Sequence, residues 1–278
     1  MSEPVPLWMY PLLTALGCLT GTYGTLVGAG GGVILVPALL LLYPHEPPNT
    51  IASISLAVVF FNALSGTLAY GQMQRIDYRA GLLFGAAAVP GAILGAFVAS
   101  LLSRRAFDLV FSLLVLALAA FLLLRPTPGR EHRRKGKRET THTLTDSKGV
   151  SFSYSFSIRR GVLCSFVIGL IASTLGIGGG PFQVPVLVYL LHFPLHVATA
   201  TSQLMLVIMS LVGSAAHVVA GNFDHDFMRM LFLSLGVLVG AQLGARLSQR
   251  LTGSSISRIL AGGLILIGIR LAIHAFEN

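Results

Sequence analysis

Gly28-Ala29-Gly30-Gly31-Gly32 opens the stretch GAGGGVILVPALLLLY (residues 28–43), and Gly176-Ile177-Gly178-Gly179-Gly180 opens GIGGGPFQVPVLVYLL (residues 176–191). The two stretches start 148 residues apart, and each carries a proline five residues after its last glycine. A soluble chain could use such a run as a turn. Here it interrupts apolar sequence, where lipid offers no partner to the backbone polar groups that a break releases. Protein, water or ligand must supply one. Broken helices at matching positions in two halves of a chain point to a transporter's binding site.

The surrounding composition sets the class. The chain is 54% hydrophobic and 10% charged, against roughly 25% charged residues in an ordinary soluble domain. Apolar stretches near 51–72, 80–102, 106–124, 199–220, 228–248 and 256–275 are almost free of charge, and each approaches the ~20 residues that cross a bilayer. The expected fold is an all-α polytopic membrane protein. The start, MSEPVPLWMYPLL, lacks a basic n-region and has Glu3 as its only charge, so a retained first span is expected rather than a signal peptide.

The net charge of +9 is local. Residues 125–160 hold ten Lys and Arg against Glu131, Glu139 and Asp146, which gives +7 in that stretch alone. Lying between spans, it is expected to be a cytoplasmic anchor, not a nucleic-acid site. Cys18 and Cys164 both fall in apolar sequence, so neither a disulfide framework nor a Cys-x-x-Cys metal site is expected.

The chain repeats. Ser55 and Gly66 match Ser202 and Gly213, Asp77 matches Asp224, and Gly91/Gly95 match Gly240/Gly244, with offsets of 147 to 149. The halves are therefore 1–124 and 158–278, joined by a basic linker, 125–157. Each half is expected to hold one Gly-broken helix element followed by three full spans. With the linker in the cytoplasm, an inverted second half keeps Arg246, Arg250 and Arg258 inside, as the positive-inside rule prefers. Arg104 and Arg105 then lie outside, against the rule. Whether the half-length segments 33–43 and 181–193 re-enter or cross is left open.

All ten acids lie in loops, tails or span ends, whereas proton relays and sodium sites usually place carboxylates within the membrane. A site for an anion is expected instead. Helix N-termini offer amide N–H groups and partial positive charge, and the segments after Gly30, Gly31, Gly32 and after Gly178, Gly179, Gly180 start at the breaks. Both glycine runs are expected to face one cavity and hold an oxyanion. No Gly-Lys-Ser/Thr follows either run, which excludes a phosphate loop. Close helix packing suffices for Gly91/Gly95 and Gly240/Gly244.

Thr199, Gln203, Ser210, Ser214 and His217 recur on one helical face. Ser55, Asn62 and Gly66 form a neighbouring stripe in the first half. Gln183, Asn62 and Gln203 are the expected side-chain ligands, with helix–helix hydrogen bonding as the plainer role. For gating or coupling the candidates are His217, Asp77 and Asp224, although an interfacial hydrogen bond suits His217 and helix N-caps suit both aspartates. His192 and His196 flank Pro194 without a metal motif. No catalytic residue, metal or cofactor is expected. The alternating Ser151-Phe152-Ser153-Tyr154-Ser155-Phe156-Ser157 suggests either an interfacial strand or an unstructured approach to the membrane.

The paired Gly-x-Gly-Gly-Gly…Pro segments, the span openings Ser55-Leu56 and Thr201-Ser202, and the turns before Asp77 and Asp224 resemble the TauE/SafE sulfite exporter family, over both halves but not the linker. The resemblance adds Ser55, Thr201 and Ser202 to the expected substrate-binding set. It implies export of sulfite, sulfoacetate or related organosulfonates across the cell membrane; a channel or carrier for another small anion is the alternative. Each negative charge leaving a negative interior gains ~2.3 kcal/mol per 100 mV, so export needs no carboxylate relay. The expected partners are a small anion and the lipid bilayer, with homo-oligomerisation left open.

Overall fold

A computed structural model describes residues 9–43, 46–124, 140–219 and 227–277. Its helices run α1 (Met9–Val27), α2 (Gly32–Leu42), α3 (Pro48–Gln72), α4 (Tyr78–Ala99) and α5 (Arg104–Leu124). A hairpin of β1 (Thr140–Thr145) and β2 (Ser151–Phe156) follows. Then come α6 (Ile158–Leu175), α7 (Gly180–Pro185), a π-helical turn (Val186–Leu190), α8 (Leu195–Val219), α9 (Phe227–Ser248) and α10 (Gly253–Glu277). Among the described residues, six helices are long and apolar enough to cross a membrane: α3, α4, α5, α6, α8 and α9. Their lengths follow from uninterrupted apolar sequence, because a helix alone satisfies every backbone group within its own segment.

The half-length pieces owe their boundaries to glycine. Gly31 (φ +81°) and Gly179 (φ +84°) precede α2 and α7 in the left-handed region, where a side chain costs roughly 1–2 kcal/mol. Pro181 stands in the first turn of α7, where its missing N–H is no loss. Pro185 ends that helix, and the chain widens into π-turns closed by Leu191 N–H to the Val186 carbonyl at 3.0 Å.

Packing pairs elements of different halves. α1 packs along α9, α6 along α4, α3 on both α8 and α9, α8 on α4, and α5 on α10. The glycine ladders set the closest of these approaches: Gly91 and Gly95 abut the Phe166 and Leu170 carbonyls of α6, while Gly240 and Gly244 abut the Cys18 and Thr22 carbonyls of α1. A Cβ at any of them would strike main chain, so the packing role expected of these four glycines is the one they have. α3 is buried along most of its length and forms the centre of the bundle. Apolar side chains such as Leu19, Phe97, Leu113, Leu163 and Val239 face outward, as a lipid-facing surface requires.

The segment 151–157, for which strand and unstructured readings were both open, contains a strand. β1 and β2 pair antiparallel from Thr140↔Phe156 to Thr145↔Ser151. Asp146 builds the turn: its Oδ1 accepts the N–H groups of Lys148 (2.9 Å) and Val150 (3.0 Å). The hairpin sits at the end of the bundle where α3 finishes and α4 begins. Ser147 N–H donates to the Met73 carbonyl at 3.0 Å, and Arg75 pairs with Asp146 at 3.1 Å. Burial pushes the Asp146 carboxyl up, but the two amide N–H groups and the Arg75 guanidinium outweigh it and hold the group below its ordinary value.

Candidate functional site

The two glycine breaks meet. Gly32 rests on the backbone of Ile177, and Gly180 rests on the backbone of Ala29 and Gly28. Each break is closed the same way, with Ala29 N–H donating to the Gly24 carbonyl (2.6 Å) and Ile177 N–H to the Ala172 carbonyl (3.1 Å). Gly30 and Gly178 both touch the same two side chains, Val59 of α3 and Leu206 of α8. The place where a cavity was expected is thus packed by these two residues. Neither α2 nor α7 has a side-chain cap at its start. Gly31 lies against Thr20, and Gly179 against Met209, Ala172 and Ile168.

Two groups of side chains flank this crossing, matched position by position between the halves. In one, Tyr70 OH donates to the Thr25 carbonyl at 2.9 Å, and Thr25 Oγ1 donates to Asn62 Oδ1 at 3.2 Å. Gln203 Nε2 reaches the Gly24 carbonyl at 3.4 Å, and Gly66 leaves room for the Gln203 amide. In the other, His217 Nε2 donates to the Ser173 carbonyl at 3.3 Å, and Gly213 abuts Ser173 and Leu56. Gln183 Nε2 makes only a 3.9 Å contact with Met209 Sδ. Tyr70 and His217, Asn62 and Met209, and Leu56 and Gln203 are all 147 residues apart, and Thr25 and Ser173 are 148 apart. The first group is therefore amide-rich, and the second has thioether and aliphatic carbon at the matching places.

The expected ligands divide accordingly. Asn62 and Gln203 come together around Thr25, whereas Gln183 belongs to the second group. All three are fully buried, and Asn62 Nδ2, Gln203 Oε1 and Gln183 Oε1 have no hydrogen-bond partner among the described residues. A buried polar atom left unpaired costs ~1–3 kcal/mol. Ser202 Oγ donates to the Gly28 carbonyl at 2.8 Å and so touches the crossing. Its mate Ser55 is buried, and its hydroxyl has no partner among the described residues. Thr201 is placed elsewhere: its hydroxyl accepts the Asp77 N–H at 3.0 Å, at the hairpin end of the bundle.

Asp77 is the N-cap of α4, accepting the Ala80 N–H at 2.9 Å. Its second oxygen is spoken for by the hairpin, through Tyr154 OH at 2.8 Å and His142 Nδ1 at 3.0 Å. Asp224 lies outside the described residues. Sequence reasoning passed over Thr25 and Ser173. Both sit three residues before the first glycine of their break, a correspondence that the repeat offset alone would have exposed.

Fold and packing define a multi-pass α-helical membrane protein of the cell membrane, built around two touching helix breaks. Its family follows from comparison. The sulfite exporter TauE/SafE family model matches residues 13–271, and the chain belongs to that family. It is 32% identical over 268 residues to the probable membrane transporter protein YunE of Bacillus subtilis (strain 168), covering 94% of this chain and 97% of that protein. It is 20% identical over 275 residues to the probable membrane transporter protein MJ0441 of Methanocaldococcus jannaschii, covering 95% of each. No solved structure matches the chain. The protein is a membrane transporter rather than an enzyme.

Proposed function

We propose that this transporter exports a small sulfur oxyanion or organosulfonate, such as sulfite or sulfoacetate, by alternating access between two inverted repeats, 1–124 and 158–278. The substrate is held at the glycine crossing. The observation that carries this reading is the contact between the breaks, Gly32 on Ile177 and Gly180 on Ala29, with the unpartnered Asn62 Nδ2 donor beside it. An anion there would take the Asn62 Nδ2 donor, and Gln203 Nε2 once it leaves its long bond to Gly24. No lysine or arginine is needed if these donors combine with the amide N–H groups at the start of α2.

Inversion is supported by direction. The end of α3 and the start of α8 lie side by side, since Asp77 N–H reaches Thr201, so these matching helices run antiparallel. The hairpin 140–156 and Arg75 share that end, which the positive-inside rule puts in the cytoplasm. Elements that exchange under the repeat, α1 with α6 and α4 with α9, make reciprocal pairs. Two such halves can rock about a fixed centre.

The test is flux in reconstituted vesicles. Sulfite or a short sulfonate should show saturable flux that follows an imposed potential. Asn62→Leu should lower it about ten-fold or more, the worth of one lost hydrogen bond to a charged group, in protein that remains folded and monodisperse. Gly179→Leu should block the site. Flux that ignores the potential and follows a pH gradient would refute potential-driven export, and unchanged anion binding by folded Gly179→Leu would refute the glycine site. Unsaturable flux would favour a channel.

A further inference from the structure

The linker hairpin fastens both halves at one end of the bundle. On the first half it holds the turn between α3 and α4 by four contacts. Tyr154 OH donates to Asp77 at 2.8 Å, His142 Nδ1 lies 3.0 Å from the same carboxylate oxygen, Arg75 pairs with Asp146 at 3.1 Å, and Ser147 N–H meets the Met73 carbonyl. On the second half its rings pack on the turn before α8, with Tyr154 and Phe156 centroids 4.5 and 4.9 Å from that of Phe193. Phe156 also stands edge-on to Phe84 of α4 at 5.7 Å. Tyr154 and Phe156 are buried in a cluster with Leu187, Val188 and Leu191, which continue the second glycine break. Burial, then the Asp77 carboxylate, hold the Tyr154 phenol above its ordinary value, so its hydroxyl stays the donor.

Beneath these contacts, Asp77 N–H donates to Thr201 of α8. One residue thus touches the hairpin with its side chain and the opposite half with its backbone. The turn between α2 and α3, at the far end of the 25-residue α3, is held differently. There Arg229 of α9 pairs directly with Glu46 at 3.3 Å and lies 4.1 Å over the Tyr43 ring. The hairpin belongs to the connection between the halves and, among the described residues, occurs on one face only.

We propose that the hairpin 140–156 is a latch on the linker-side face of the transporter, seated on Asp77 and Phe193 when that face is closed and released when it opens. The hairpin covers the joint between α4 and the α7–α8 turn, and on this proposal that joint is the way from the linker side to the crossing. The inference rests on the alternating-access reading for its role in transport; the latch itself is tested independently of substrate.

A chain with Cys18 and Cys164 replaced by alanine would carry Thr201→Cys as a reporter, labelled by a membrane-impermeant maleimide applied to the linker side. Adding His142→Ala and Tyr154→Ala should raise the labelling rate about ten-fold or more, the factor carried by the lost bonds to a carboxylate. Equal rates in the two proteins, both monodisperse, overturn the latch. A second variant keeps every ring: Met73→Cys with Ser147→Cys joins the hairpin to the α3–α4 turn across the Ser147–Met73 contact. Oxidation should cut anion flux about ten-fold and reduction should restore it. Full flux with the hairpin joined also overturns the latch. Failure of the transport reading would show separately, as no flux through the unmodified chain.

Discussion

Replacing Gly32 or Gly180 by alanine tests whether the two breaks share one packed contact. A Cβ on Gly32 would lie 2.8 Å from the carbonyl carbon and oxygen of Ile177 and 2.9 Å from its Cα. On Gly180 it would lie 2.5 Å from both Ala29 Cα and the Gly28 carbonyl oxygen. Carbon atoms rest about 3.5–4.0 Å apart, so the breaks must part by about 1 Å, and backbone atoms cannot rotate away. Overpacking of this kind costs ~1–3 kcal/mol, offset by up to ~1 kcal/mol because alanine favours the helix. Gly262→Ala, whose methyl meets nothing within 4 Å beyond its own helix among the described residues, keeps only the favourable part.

Thermal unfolding in detergent, followed by loss of the monodisperse gel-filtration peak, should thus rank Gly262→Ala at or above the unmodified chain and both crossing variants below it. The double variant is the sharper measurement. Once one methyl has parted the breaks, the second meets less resistance, so the combined loss should fall short of the sum. Crossing variants as stable as Gly262→Ala, or losses that add in full, would refute the shared contact.

Two further outcomes follow from the ends of the bundle. The depressed Asp146 carboxyl contributes stability that is fully present above its unfolded value of about 3.9 and is lost as pH falls through the lower folded value. Hydrogen exchange of residues 146–156, corrected for intrinsic rate, should be flat from neutral pH to about 5 and rise only in stronger acid; a rise near neutrality would contradict this. Arg229→Met removes both the Glu46 pair and the Tyr43 contact and should lower stability by ~1–2 kcal/mol. An unchanged unfolding temperature would mean that Arg229 only snorkels.

The sequence made the spans and the breaks legible because both are local: apolar length sets a span, and glycine at Gly31 and Gly179 permits a backbone that other residues resist. Repeat offsets also paired residues that the fold later brought to matching places. The division of Gln183 from Asn62 and Gln203 was not legible, because one helical face does not say which half of the bundle it meets. Thr201 parts from Ser202 for a related reason. It neighbours Ser202 in sequence, yet successive residues on a helix point about 100° apart, and only Ser202 meets Gly28. The hairpin was half-legible. The alternation from Ser151 to Phe156 allowed a strand without deciding for one, because its partner Thr140–Thr145 was obscured by the basic linker, and the Asp146 to Gly149 turn was the overlooked signal.

Val59 and Leu206, 147 residues apart in sequence, each touch Gly30 and Gly178. Neither half of the chain therefore owns the volume at the centre. A larger residue arriving in one half must be answered by a smaller one in the other, so these four positions should drift together over evolutionary time. The two halves are in this way prevented from diverging independently at the point where they meet.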